Sequence, residues 1–102
     1  MMTIYEIDVD SRNIKENLNR IGNQIYKALC LREEDKEWKK PLETLSIELL
    51  GMHSLFPEQL QLFSLVCKIQ GILADEQIDF MLYRRTIFEC CSLVNKIKND
   101  IN

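Results

Sequence analysis

Glycine and proline are scarce in this sequence, three and two among 102 residues. That leaves little material for many turns, so a few long elements are expected. Long apolar runs are missing too: nothing approaches the ~18–20 uninterrupted apolar residues of a membrane span. The opening MMTIYEIDVD is acidic and has neither the basic nor the apolar region of a secretory signal. Positive charge is in deficit, 13 lysines and arginines against 16 carboxylates, for a net charge of -3. Such a surface is not tuned to phosphate backbones, which weighs against nucleic acid as a partner.

Motifs that carry chemistry are absent as well. The chain has no C-x-x-C, no E-x-x-H or H-E-x-x-H, no phosphate-cradling glycine loop and no serine nucleophile elbow. Its cysteines, Cys30, Cys67, Cys90 and Cys91, do not have the spacing of a secreted disulfide framework. The expected location is the cytoplasm, with the thiols reduced. No enzyme activity, cofactor or resident metal is expected.

What is present is the composition of a globular protein, 46% apolar and 28% charged, of a length that suits one domain spanning residues 1–102. Pro41 and Pro57 stand where a first helical turn tolerates proline, and Asp75 can cap a further helix. These breaks define four helical segments. In the first, to about Leu31, Ile14, Leu18, Ile21, Ile25 and Leu29 form one stripe. Its start is ambiguous. Tyr5, Ile7 and Val9 alternate with acids as in a strand, whereas Thr3 and Glu6 form a capping box that would start a helix at Thr3 and carry Ile4, Ile7 and Ser11 into the stripe. The helical reading is preferred.

The second segment, Pro41 to about Leu55, places Leu42, Leu45, Leu49, Met52 and Phe56 at three-four spacings. The third, Pro57 to about Leu73, is apolar nearly all round: Leu62, Leu65, Val66, Ile69, Ile72 and Leu73 fill one face, and Leu60, Phe63 and Cys67 continue around the other side. The fourth, Asp75 to about Ile101, repeats Phe80, Tyr83, Ile87, Cys90, Val94, Ile97 and Ile101, with Met81 and Phe88 as a separate ridge. The reading is an all-α, antiparallel up-and-down four-helix bundle, with two longer outer-sequence helices and two shorter central ones. Helix three and the Met81/Phe88 ridge offer more apolar surface than one small bundle hides, which marks an interface. The chain is therefore expected to work by protein–protein contact as an adaptor, inhibitor, immunity protein or regulator, pairing with itself as a homodimer or with another protein.

The residues expected at that interface are Leu60, Phe63, Cys67, Met81, Arg84 and Phe88. Arginine at the rim of an apolar patch stacks and makes bidentate pairs. Trp38, amid the charges of REEDKEWKK, is either a recognition hot spot or folds back to plug the end of the bundle, the more frequent fate of a lone tryptophan near a helix start. Cys90 and Cys91 are successive helical positions, about 100° apart, so their thiols diverge and joint metal or redox work is disfavoured. His53 flanks the core stripe with no orienting partner in sequence. Two alternatives remain: a metal-binding or catalytic bundle using His53, Glu48 and a cysteine, and a nucleic-acid-associated regulator using Arg84, Arg85, Lys96 and Lys98. A helix-turn-helix is disfavoured because PEQLQLFSLVCK offers one lysine and almost no polar side chains for base edges.

Overall fold

The computed structural model of the chain describes residues 2–4, 7–9, 11–75 and 77–100, with side chains for 14–75 and 77–100. Two short strands, β1 (Met2–Ile4) and β2 (Ile7–Val9), pair antiparallel with Met2 opposite Val9 and Ile4 opposite Ile7. The helix expected from Thr3 is thus corrected. Thr3, Ile4, Ile7 and Val9 are all β-branched, stiff at χ1 and better suited to an extended backbone. Tyr5, Glu6 and the terminal Ile101 lie outside the described residues, and with them the Thr3–Glu6 capping box and the last position of the helix-four stripe.

Four helices follow: α1 (Ser11–Glu33), α2 (Lys39–Leu55), α3 (Leu60–Ala74) and α4 (Phe80–Asp100). Each packs on its neighbours in sequence, and α4 closes the ring on α1, which makes an up-and-down bundle 44 Å long and about 20 Å across. The stripes read from the sequence form its core. Ile14, Leu18, Ile21, Ile25 and Leu29 of α1, Leu42, Leu45 and Leu49 of α2, Leu62, Leu65, Val66, Ile69 and Ile72 of α3, and Tyr83, Ile87, Cys90, Val94 and Ile97 of α4 are all buried. Phe56, in the α2–α3 turn, and Ile78, before α4, join them.

The helix starts differ from expectation at two places. α3 begins at Leu60 rather than Pro57, because Pro57 and Glu58 form a turn in which the Gln59 N–H donates to the Phe56 carbonyl. α4 begins at Phe80 rather than Asp75. Asp75 instead closes α3, its N–H donating to the Ile72 carbonyl, while the carboxylate of Asp79 accepts from the N–H groups of Met81 and Leu82. Asp79 is the N-cap. For α2 the Glu37 carboxylate accepts from Lys39 and Lys40 N–H, with Pro41 inside the first turn.

α1 ends in a Schellman turn. The Lys36 N–H donates to the Leu31 carbonyl and the Asp35 N–H to that of Arg32, and Asp35 takes a φ of 60°. Just beyond, Trp38 folds back edge-on against Tyr83, ring centroids 4.7 Å apart. The Arg32 guanidinium lies 4.6 to 5.6 Å from the rings of Tyr83, Trp38 and Phe80 and donates to the Ile78 carbonyl. This aromatic plug closes one end of the bundle.

Candidate functional site

Around α3, Leu60, Phe63 and Cys67 lie about 100–160° from the buried Leu62; around α4, Met81, Arg84 and Phe88 lie about 100–160° from the buried Tyr83. All six are exposed, Leu60 at 75%, Met81 at 64%, Phe63 at 46% and Phe88 at 42%. The two sets do not meet. Phe63 packs 5.4 Å from His53 of α2, so its ridge turns toward α2. Phe88 packs 6.4 Å from Tyr26 of α1, so its ridge turns toward α1. In the ring α1–α2–α3–α4 those are opposite sides of the bundle. One expected patch is two.

The α1/α4 face holds Tyr26, Met81, Arg84 and Phe88. The Arg84 guanidinium sits 4.9 Å from the Phe88 ring centre, where the ring's negative face attracts a cation. Further along the same side, Lys98 donates to the Asn19 side chain, and the Cys91 thiol reaches the Gly22 carbonyl at 4.0 Å. Gly22 sits where α1 meets α4, and a β-carbon there would touch Val94 at 3.4 Å, an ordinary van der Waals contact.

The α2/α3 face extends beyond Leu60, Phe63 and Cys67 onto α2. Ile47, Leu50 and Ser54 lie about 80–140° from Leu42 on the same side of α2 as His53, and Ile47 is 73% exposed. The three-four spacing of Ile47, Leu50 and Ser54 was the available signal, hidden beside the stronger core stripe. Trp38, by contrast, is half-buried in the aromatic plug and belongs to neither face.

The residues with candidate chemistry are dispersed. Glu48 is held by Arg20 of α1, whereas His53 turns toward α3 against Phe63, so the two do not converge. The four thiols are free. Cys90 is buried and burial pushes its thiol from 9.0 up to about 12; the neighbouring Cys91, half-buried, is also pushed up by burial. Neither is poised as a thiolate nucleophile. Among the described residues no group of three or more His, Cys, Asp or Glu side chains gathers as a metal set. No described helix is long and apolar enough to cross a membrane.

A cavity of about 290 Å³ at the end opposite the plug is lined by Ile14, Met52, Phe56, Leu62 and Ile97, with Gln59, Glu58 and Asp100. Its described lining includes no cysteine, histidine or hydroxyl side chain. The basic side chains of α4 are spread around it: Arg84 stacks on Phe88, Lys98 bonds Asn19, and Arg85 and Lys96 lie on the outer side, about 160° and 140° from Tyr83. No family model, curated protein or solved structure matches the chain.

Proposed function

We propose that this protein is a small binding module that acts by protein–protein contact, in an adaptor or regulatory role. The observation that carries the reading is the pair of opposed apolar faces on a bundle whose core is otherwise complete. Apart from Leu55 and Leu82, the exposed large side chains gather along two helix pairs, and such patches mark interaction sites. The α1/α4 face has the composition of a hot spot, with a tyrosine, a phenylalanine and a stacked arginine side by side. Its complement is a protein segment that presents apolar side chains beside a carboxylate for Arg84. Four unpaired thiols suit a reducing compartment, and we take the cytoplasm as its place of work.

The test is affinity capture from the native host with wild type, Phe88→Glu and Arg84→Ala, each shown to be folded by circular dichroism. One protein, identified by mass spectrometry, is expected with wild type and lost with both variants. Capture that ignores both variants overturns the assignment of that face.

A further inference from the structure

We propose that the α2/α3 face is occupied by a second copy of this chain, making a reversible twofold dimer that leaves the α1/α4 faces outward. This deepens the binding-module reading by naming the partner of one face.

Charge is the first argument. From Ile47 to Gly71 the only acids and lysines or arginines are Glu48, Glu58 and Lys68. Glu48 is turned to α1 by Arg20, Lys68 is turned to α4 by Glu89, and Glu58 sits in the turn between helices. The centre of the face, Ile47, Leu50, Gly51 and Ser54 of α2 with Leu60, Phe63, Cys67, Gln70 and Gly71 of α3, has no charge, and the exposed Glu43 stands beyond Ile47 at its end. Two chains of net charge -3 meet there without like charges facing one another, whereas a charged partner finds nothing to pair with. Depletion of charge is the compositional mark of an interface core.

Pattern is the second. Leu60, Phe63, Cys67, Gln70 and Ala74 recur at three-four spacing, a second helical stripe on α3 beside the one that faces its own core. Such a stripe is built to receive another helix. Bulk is distributed diagonally along it. The His53–Phe63 contact sets the register of the antiparallel pair, so Ser54 is level with the Leu60–Phe63 end and Ile47 with the Gln70–Gly71 end. Leu60 and Phe63 thus share one end with the small Ser54, and Ile47 shares the other with Gln70 and Gly71. Turning a copy over about an axis in the plane of the face and parallel to the helices sets Leu60 and Phe63 over Ser54, and Ile47 over Gln70 and Gly71. The surface is complementary to itself, as a twofold interface has to be.

The glycines supply the third argument. Gly51 and Gly71 lie inside exposed helix surface, about 180° from Leu42 and Leu62 respectively, and a β-carbon on either meets nothing within 4 Å. A mid-helix glycine is destabilising relative to alanine, and nothing within the chain calls for either. Close approach of another backbone along the edge of the face does so for Gly51, and for Gly71 at the crest of α3, which also borders the groove toward α4. Helices of 17 and 15 residues side by side present a surface about 25 Å by 20 Å, or ~500 Å² per chain. That falls below the ~800 Å² per partner of a standard stable interface, which suits a dimer that forms and dissociates reversibly.

Sedimentation equilibrium from low to high micromolar concentration tests this on the intact chain. Wild type is expected to pass from monomer to dimer, Phe63→Glu or Leu60→Lys to raise the dissociation constant at least about tenfold, and Phe88→Glu to leave it unchanged. The double variant Gly51→Ala, Gly71→Ala gives readouts of opposite sign: a higher melting temperature when dilute and weaker dimerisation when concentrated. Alkylation of Cys67 is expected to slow as wild type is concentrated and not in Leu60→Lys. A monomer at every concentration overturns the proposal, as does a dimer that Phe88→Glu breaks and Phe63→Glu does not. A monomer that still captures its partner through Phe88 overturns this inference alone and leaves the binding-module reading standing.

Discussion

The hydroxyl of Tyr83, on α4, donates a 2.8 Å hydrogen bond to the carbonyl of Ala28, on α1, with both residues buried. The ring beneath it is packed edge-on by Trp38 and faced by the Arg32 guanidinium, so one side chain ties α4, α1 and the α1–α2 connection together. Tyr83→Phe keeps the ring but leaves a buried carbonyl without this donor. Loss of about 0.5–1.5 kcal/mol is expected in urea unfolding, with the helical circular dichroism of the folded state unchanged.

Arg32 is held by geometry that lysine does not reproduce. Its planar guanidinium is within 4.6 to 5.6 Å of three rings and donates to the Ile78 carbonyl that precedes α4. An ammonium is a compact point charge and neither stacks nor forks. Arg32→Lys is therefore expected to lower stability by about 1–2 kcal/mol and to change the emission of Trp38, the sole tryptophan. Equal stability and emission for the two proteins would show that the plug needs only a positive charge.

Alkaline pH acts on two groups in the same direction. Burial raises the Tyr83 phenol well above its ordinary 10.0 and takes the Cys90 thiol from 9.0 to about 12. Both are neutral acids whose folded values lie above their unfolded ones, so between those values the unfolded chain has lost protons that the folded chain retains. The stability they lend is whole below pH 9 and declines as the pH rises from there toward about 12. Chemical denaturation at stepped pH should show that decline, and Cys90→Ala should flatten it at the cost of a core methyl-sized void. In the same range the exposed Cys67 should alkylate first and Cys90 last.

The core was legible in the sequence because burial imposes the helical period directly: every described residue of the four stripes is buried except Met52, Leu73 and Phe80, which pack partly covered against the rest. The ends of α3 and α4 were not. Two aspartates flank the last connection, and only the fold decides that Asp79 caps while Asp75 ends the preceding helix. Nor does a helical wheel say which neighbour lies on which side. It showed that Phe63 and Phe88 leave their stripes, but the ring order of the bundle is what sends them to opposite faces. Arg32 left no trace at all, since two of its three aromatic partners, Phe80 and Tyr83, come from α4, far along the chain.

The end of α1 offers a change that should stabilise. Asp35 occupies the left-handed position of the Schellman turn with a φ of 60°, where a β-carbon crowds the following carbonyl and glycine is the usual residue. Asp35 lies on the exposed connection, and its carboxylate makes no contact that the turn depends on; the turn is closed by its backbone N–H and that of Lys36. Asp35→Gly removes a strain of ~1–2 kcal/mol for a non-glycine residue in this region and gives part of it back through the greater freedom of glycine in the unfolded chain. A net gain of about 0.5–1 kcal/mol is expected, read as a higher urea midpoint with an unchanged slope. Asp35→Ala keeps the crowding and should show no such gain, so equal midpoints for the two variants would rule out relief of backbone strain as the cause.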